Sequence, residues 1–175
     1  MITRTRALAL RTIFVLASTA LALSLACSQS RVLSTQELTD QSDVVAVGTV
    51  SAVQSEWNAE KTRIITRVNI RVREFLKGVE PDQSLVVVTP GGEVGDVGEI
   101  YSTTVRFNRD EEVVVFARKK SGRDHEVSGG QQGRVPVRVD RVTGIKMVQR
   151  GTRFDDYCTQ VRSAAQAARP EEARP

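Results

Sequence analysis

From Thr62 onward, apolar and polar residues alternate for more than ten positions. Ile64, Thr66, Val68, Ile70 and Val72 share one side, and Arg63, Ile65, Arg67, Asn69, Arg71 and Arg73 share the other. A period of two predicts a long antiparallel strand with one face in the core. The stretches 44–53 and 113–117 are apolar and dominated by valine, so both predict strands, the second buried on both faces. Residues 85–89 read as another strand, stopped by Pro90-Gly91-Gly92. Shorter strands are predicted at 101–107, 126–128 and 134–139, the last at an edge because Pro136 cannot donate to a ladder. A hairpin through 140–144 leads into 145–148. The segment 91–99 holds four glycines between valines and predicts an ordered, mobile loop.

The period changes at both ends of this region. Ser34 and Glu37 form a capping-box pattern with Leu33 and Leu38 placed to staple across it, which predicts a short helix before the first strand. Phe154, Tyr157, Cys158, Val161, Ala164, Ala165 and Ala168 recur at three and four, which predicts a C-terminal amphipathic helix with Thr152 as its cap and Asp155 in its first turn. Five or six meandering strands between two helices predict a mainly β domain over 34–168, a small antiparallel barrel, followed by a polar tail at 169–175.

The first 26 residues follow neither pattern. Arg4, Arg6 and Arg11 precede an apolar stretch, 13–26, interrupted only by Ser18, Thr19 and Ser24. Its 14 residues fall short of the ~20 that span a bilayer, and the arrangement is that of a secretory signal. The junction Leu23-Ser24-Leu25-Ala26-Cys27 resembles the lipobox of bacterial lipoproteins. That resemblance implies cleavage before Cys27, acylation of Cys27, a tether over 27–33, and a lipid anchor in the bacterial cell envelope. Ordinary cleavage after Ala26 would give a secreted or periplasmic protein instead. The chain has 25 basic and 21 acidic residues. Removing the three leader arginines leaves 22 against 21, a mature net charge of +1, so charge gives no reason to expect nucleic acid as a partner.

Cys27 and Cys158 are the only cysteines and His125 the only histidine. They are too few for a four-ligand zinc site of the usual type, and no cofactor is expected. An acylated Cys27 would leave Cys158 a lone thiol, whereas a free Cys27 in an oxidising compartment could pair with it.

The run Ser42-Asp43-Val44-Val45-Ala46-Val47-Gly48-Thr49-Val50, the long alternating strand, and its ending in Phe75-Leu76-Lys77-Gly78 resemble the netrin-like module, the OB-type barrel of tissue inhibitors of metalloproteinases. The resemblance covers about residues 42–116 and implies an OB-like or netrin-like fold. It also places Cys27 where those inhibitors carry a zinc-chelating N-terminal cysteine. Their disulfide framework is missing here, and an acylated amine cannot ligate a metal.

Candidate chemistry is sparse. Arg63, Arg67, Arg71 and Arg73 line the outer side of one strand and could meet anionic lipid headgroups or an envelope polymer, or could simply form a solvated face. The loop from Gly91 to Gly98 lacks the Gly-Lys-Ser/Thr of a nucleotide site, and its Glu93, Asp96 and Glu99 could gather a hard cation or merely solvate the loop. His125 with Cys158 is a conceivable catalytic pair, although Cys158 falls on the apolar stripe of its helix. Two functions are therefore expected as alternatives. One is a non-catalytic, lipid-anchored envelope module that contacts a protein or anionic polymer. The other is a hydrolase with a cleft near His125 and the 91–98 loop, or an inhibitor-like secreted protein.

Overall fold

The computed structural model describes residues 31–148 and 151–168. Contacts divide the chain into Met1–Val32 and Leu33–Pro175, and every element below belongs to the second unit. The leader, Cys27 and the tail at 169–175 lie outside the described residues.

Helix α1 (Thr35–Asp40) begins with the expected capping box: Ser34 Oγ accepts the Glu37 N–H at 3.2 Å, and Glu37 Oε2 accepts the Ser34 N–H at 2.8 Å. Strands β1 (Val44–Trp57), β2 (Ile64–Lys77) and β3 (Ser84–Pro90) follow as an antiparallel meander. Strands β4 (Gly92–Val94) and β5 (Val97–Glu99) form a separate small hairpin, and β6 (Glu112–Ser121) and β7 (Asp124–Val127) form another. The last elements are β8 (Arg134–Pro136), β9 (Arg138–Val139), β10 (Lys146–Met147) and helix α2 (Phe154–Ala167).

Five strands hydrogen-bond in a ring, in the order β1, β2, β3, β7, β6 and back to β1, with β8 added to β6. This is the expected class, a mainly β arrangement between two helices. It is not wholly antiparallel as expected, because β3 and β7 pair in parallel at Val86 with Asp124 and Val87 with His125. The parallel pair is what lets the β6–β7 hairpin join the open edge of the meander.

The unbroken valine runs are explained by two cores on opposite sides of the same strands. Val44, Ala46 and Val50 of β1 and Val113, Val115 and Ala117 of β6 point into the ring, with Val68, Ile70, Val72, Leu85 and Val87. Val45, Val47, Val114 and Phe116 point outward into a second layer with Leu38 of α1 and Phe154, Cys158 and Val161 of α2. A strand covered on both faces has no polar position to spare.

Several expectations are corrected. β1 runs four residues beyond position 53, to Trp57, because β2 pairs with it throughout that length. The glycine-rich 91–99 segment is a regular hairpin: Val94 pairs with Val97 across Gly95-Asp96, and Gly95 has the positive φ of 60° that a tight turn asks of glycine. The 101–107 segment forms no strand and crosses the end of the ring as an irregular strap, although Val105 and Phe107 are buried. The 134–139 strand breaks at Val137 into β8 and β9, which join different sheets. β8 is an edge strand as Pro136 requires. The N-cap of α2 is Arg153 without a side-chain cap, while the Thr152 carbonyl accepts from Val148. The acidic first turn, Asp155 and Asp156, faces the helix dipole in its place.

Candidate functional site

Arg63 stands just before β2, and Arg67, Arg71 and Arg73 lie on its outward face, but the four do not form one free patch. Arg67 pairs at 2.5 Å with Asp124 and at 2.5 Å with Glu56, and these carboxylates, Asp124 first, raise its pKa further above the ordinary arginine value. Arg73 pairs with Glu112 at 2.5 Å and stands 5.3 Å from the Phe154 ring. Arg71 is exposed. Arg63 sits at the rim, where its Nη1 donates to the Tyr101 hydroxyl at 3.1 Å. Asp124 lies 57 residues after Arg67, so no local pattern could have shown that pairing.

His125 is buried at 1 % exposure, with Nδ1 3.1 Å from the Arg123 carbonyl. Its Nε2 lies 3.2 Å from Glu80 Oε1, without the alignment of a hydrogen bond. Cys158 lies in the layer under α2, a free and buried thiol. His125 belongs to β7 and contacts Arg123 and Glu80, whereas Cys158 packs among Leu38, Phe116, Phe154 and Val161, so the structure does not bring the expected pair together.

Burial pushes the Cys158 thiol up to about 11 and the neighbouring Tyr157 hydroxyl up to about 12. Both groups are held neutral by the fold, whereas unfolded cysteine and tyrosine ionise near ~8.5 and ~10. Their contribution to stability is therefore complete below about pH 8.5 and is lost as pH rises toward 11 and 12. The urea midpoint should fall between about pH 8 and about pH 10.5, and Cys158→Val should shrink that fall. An equal fall in the variant would place the pH effect on other groups.

The cavity that the sequence did not reveal lies at the end of the ring. Beyond Val50, β1 and β2 continue as a two-stranded extension, and its inner face is roofed by the β4–β5 hairpin and the 100–108 strap. Between them is a cleft of about 330 Å³. Ser55 and Thr66, opposite each other on β1 and β2, meet at 3.0 Å on its wall, and Thr66 Oγ1 donates to the Gly91 carbonyl at 2.6 Å. Gly92 rests directly on this pair: a Cβ there would lie 2.3 Å from Ser55 Oγ and 2.5 Å from Thr66 Oγ1.

The other wall is the strap. Thr104 Oγ1 donates to the Pro90 carbonyl at 2.9 Å, Val105 and Phe107 anchor in the ring core, and Arg134 stacks on Phe107 at 5.6 Å while pairing with Glu111. The Tyr101 hydroxyl donates to Glu99 at 2.8 Å while accepting from Arg63. A second cavity of about 530 Å³ adjoins the strap on the side of Arg134 and Pro136. The cleft thus offers hydroxyls, the carboxylates of Glu93 and Glu99, the Arg106 side chain and apolar walls at Val53, Val68 and Phe107. Neither His125 nor Cys158 lines it.

Glu93 and Glu99 stand on paired strands of the hairpin. Among the described residues no three His, Cys, Asp or Glu side chains gather as metal ligands, and no helix is long and apolar enough to cross a membrane. These features define a mainly β domain, a ring of five strands with a cleft at one end. No protein-family model matches the chain, and no curated protein matches it.

Proposed function

We propose that this protein is a non-catalytic binding module of the bacterial cell envelope, lipid-anchored through Cys27, which holds a protein or anionic envelope polymer at the end of its ring. The observation that carries the reading is the cleft: it is of ligand-binding size and mixes hydrogen-bonding and apolar walls. Within it the Ser55 and Thr66 hydroxyls are bonded to each other and to the Gly91 carbonyl, while the histidine and cysteine of the expected catalytic pair are buried elsewhere. A hydrolase at this cleft would have to work through Glu93 and Glu99, because His125, at 1 % exposure, does not line it.

Two measurements test the two halves. Intact mass of the protein extracted from membranes should show a diacylglycerol and a fatty acyl group on Cys27, and Cys27→Ala should move the protein to the soluble fraction. An unmodified Cys27 would refute the anchor. Val53→Trp lays an indole across the cleft mouth at a half-exposed position and should weaken binding to purified envelope fragments by about tenfold, equivalent to ~1.4 kcal/mol. Unchanged binding would rule out the cleft as the contact.

A further inference from the structure

The extension of β1 has an open edge. The β1–β6 ladder ends at Thr49 with Glu112, and Val50 spends its own N–H and C=O on Glu111 and Asp110. From Ala52 to Trp57 the strand is hydrogen-bonded in a ladder to β2 alone. Ser51 is an extra residue at a bulge, since Val50 pairs with Ile70 and Ala52 with the adjacent Asn69. It shifts the alternation by one. Before it, even-numbered residues of β1 face inward, and after it Val53 and Ser55 do. Because inward side chains and β6-side backbone groups belong to the same residues at Val50, the N–H and C=O groups of Val53, Ser55 and Trp57 turn to the open edge.

Past the bulge at Ser51, the edge carries a single charge, Glu56. It contains no lysine and no proline, while Val53 and Trp57 are each 38 % exposed. The other edge, β8, is three residues long and ends in proline. Two of the residues whose backbone is open, Val53 and Ser55, are also residues whose side chains line the cleft. In an antiparallel addition, the residues opposite them would project side chains onto the same face. Every second side chain of an added strand would thus descend toward the cleft and the exposed Ile100.

We propose that an extended segment of another polypeptide adds to the edge of β1 at Ser51–Trp57, with alternate apolar side chains turned to the cleft and a basic side chain reaching Glu93. This rests on the binding-module reading and names its partner class. Main-chain bonds would give the affinity, and the cleft the selectivity. Charge favours a different polypeptide over a second copy of this chain. Glu93 lines the cleft as an exposed carboxylate, and the only charged residue in Ser51–Trp57 is Glu56, so a copy of the same edge brings no cation to it.

The probe is a displayed library of random short peptides selected against the mature protein. The tightest binder is then resynthesised with N-methyl groups on alternate amides, in each of the two phases. Strand addition predicts that selected peptides alternate apolar and other residues and include a basic one. It also predicts that the amide signals of Val53, Ser55 and Trp57 shift, and that one phase of methylation weakens binding by about tenfold or more while the other is tolerated. Peptide methylation leaves the protein untouched, so no misfolded variant can imitate the result. Equal effects of the two phases, shifts confined to the cleft walls, no selected binder, or an edge occupied by a second copy would each overturn the proposal. The Val53→Trp envelope assay is read separately. Loss of envelope binding there with phase-insensitive peptide binding retires strand addition alone, whereas full retention of envelope binding retires the cleft reading itself.

Discussion

Phe116→Ala should lower the unfolding free energy by about 3–5 kcal/mol, the usual cost of emptying a well-packed aromatic site. Phe116 is fully buried and lies in the outer layer with Leu38, Phe154, Cys158 and Val161. The helices of that layer are six and 14 residues long, α1 too short to be stable alone and α2 marginal, so each depends on the apolar layer beneath it. The loss should therefore appear first as weakened docking of α1 and α2. Two readouts follow: a lower urea midpoint by circular dichroism, and faster alkylation of Cys158 in native buffer. A destabilisation below about 1 kcal/mol, with Cys158 still protected, would show that the layer repacks around the gap. Against a typical domain stability of about 5–15 kcal/mol, the expected loss is a large fraction.

The second large effect is local. Gly92→Ala should detach the β4–β5 hairpin from the cleft, because the added methyl group would overlap Ser55 Oγ and Thr66 Oγ1 at 2.3 and 2.5 Å, and because φ at this position is 136°. Backbone strain alone costs about 1–3 kcal/mol at such a position. The overlap cannot relax cheaply, since Ser55 and Thr66 are bonded to each other and Thr66 holds the Gly91 carbonyl. Gly95→Ala is the control. Its φ is 60°, but a Cβ there meets nothing within 4 Å, so it should cost only about 1–2 kcal/mol of strain and leave the cleft closed. Hydrogen exchange separates the two: Gly92→Ala should expose the amides of β4 and β5 while those of β6 stay protected. Equal exchange in both variants would mean that the hairpin is not seated by Gly92.

The ring was more legible in the sequence than the site. Alternation along β2 shows its two faces because water lies on one of them, and the valine runs of β1 and β6 show burial on both faces because polar residues are missing from either. The capping box of α1 is a local device, so Ser34 and Glu37 suffice to reveal it. The cleft depends on what a local pattern cannot carry. Its walls are set by the tight seating of Gly92, by a strap whose Val105 and Phe107 are buried outside any strand, and by the one-residue bulge at Ser51. The glycines of 91–99 looked like freedom, but they permit a two-residue turn and a close approach. The arginines of β2 read as a patch because sequence shows their shared side and not the carboxylates that come from β1, β6 and β7.

The bulge at Ser51 works in one strand much as a shifted reading frame works in a message. Upstream of it the inward positions spell the hydrophobic interior of the ring, and downstream the inward positions spell the walls of the cleft. The two sets of residues share a backbone but no pattern, so the chemistry at Val53, Ser55 and Trp57 can be exchanged without rewriting Val44, Ala46 and Val50. Pairing Ser51 regularly with β2, without the bulge, would instead turn Ala52, Gln54 and Glu56 inward and replace every β1 side chain that faces the cleft in one step.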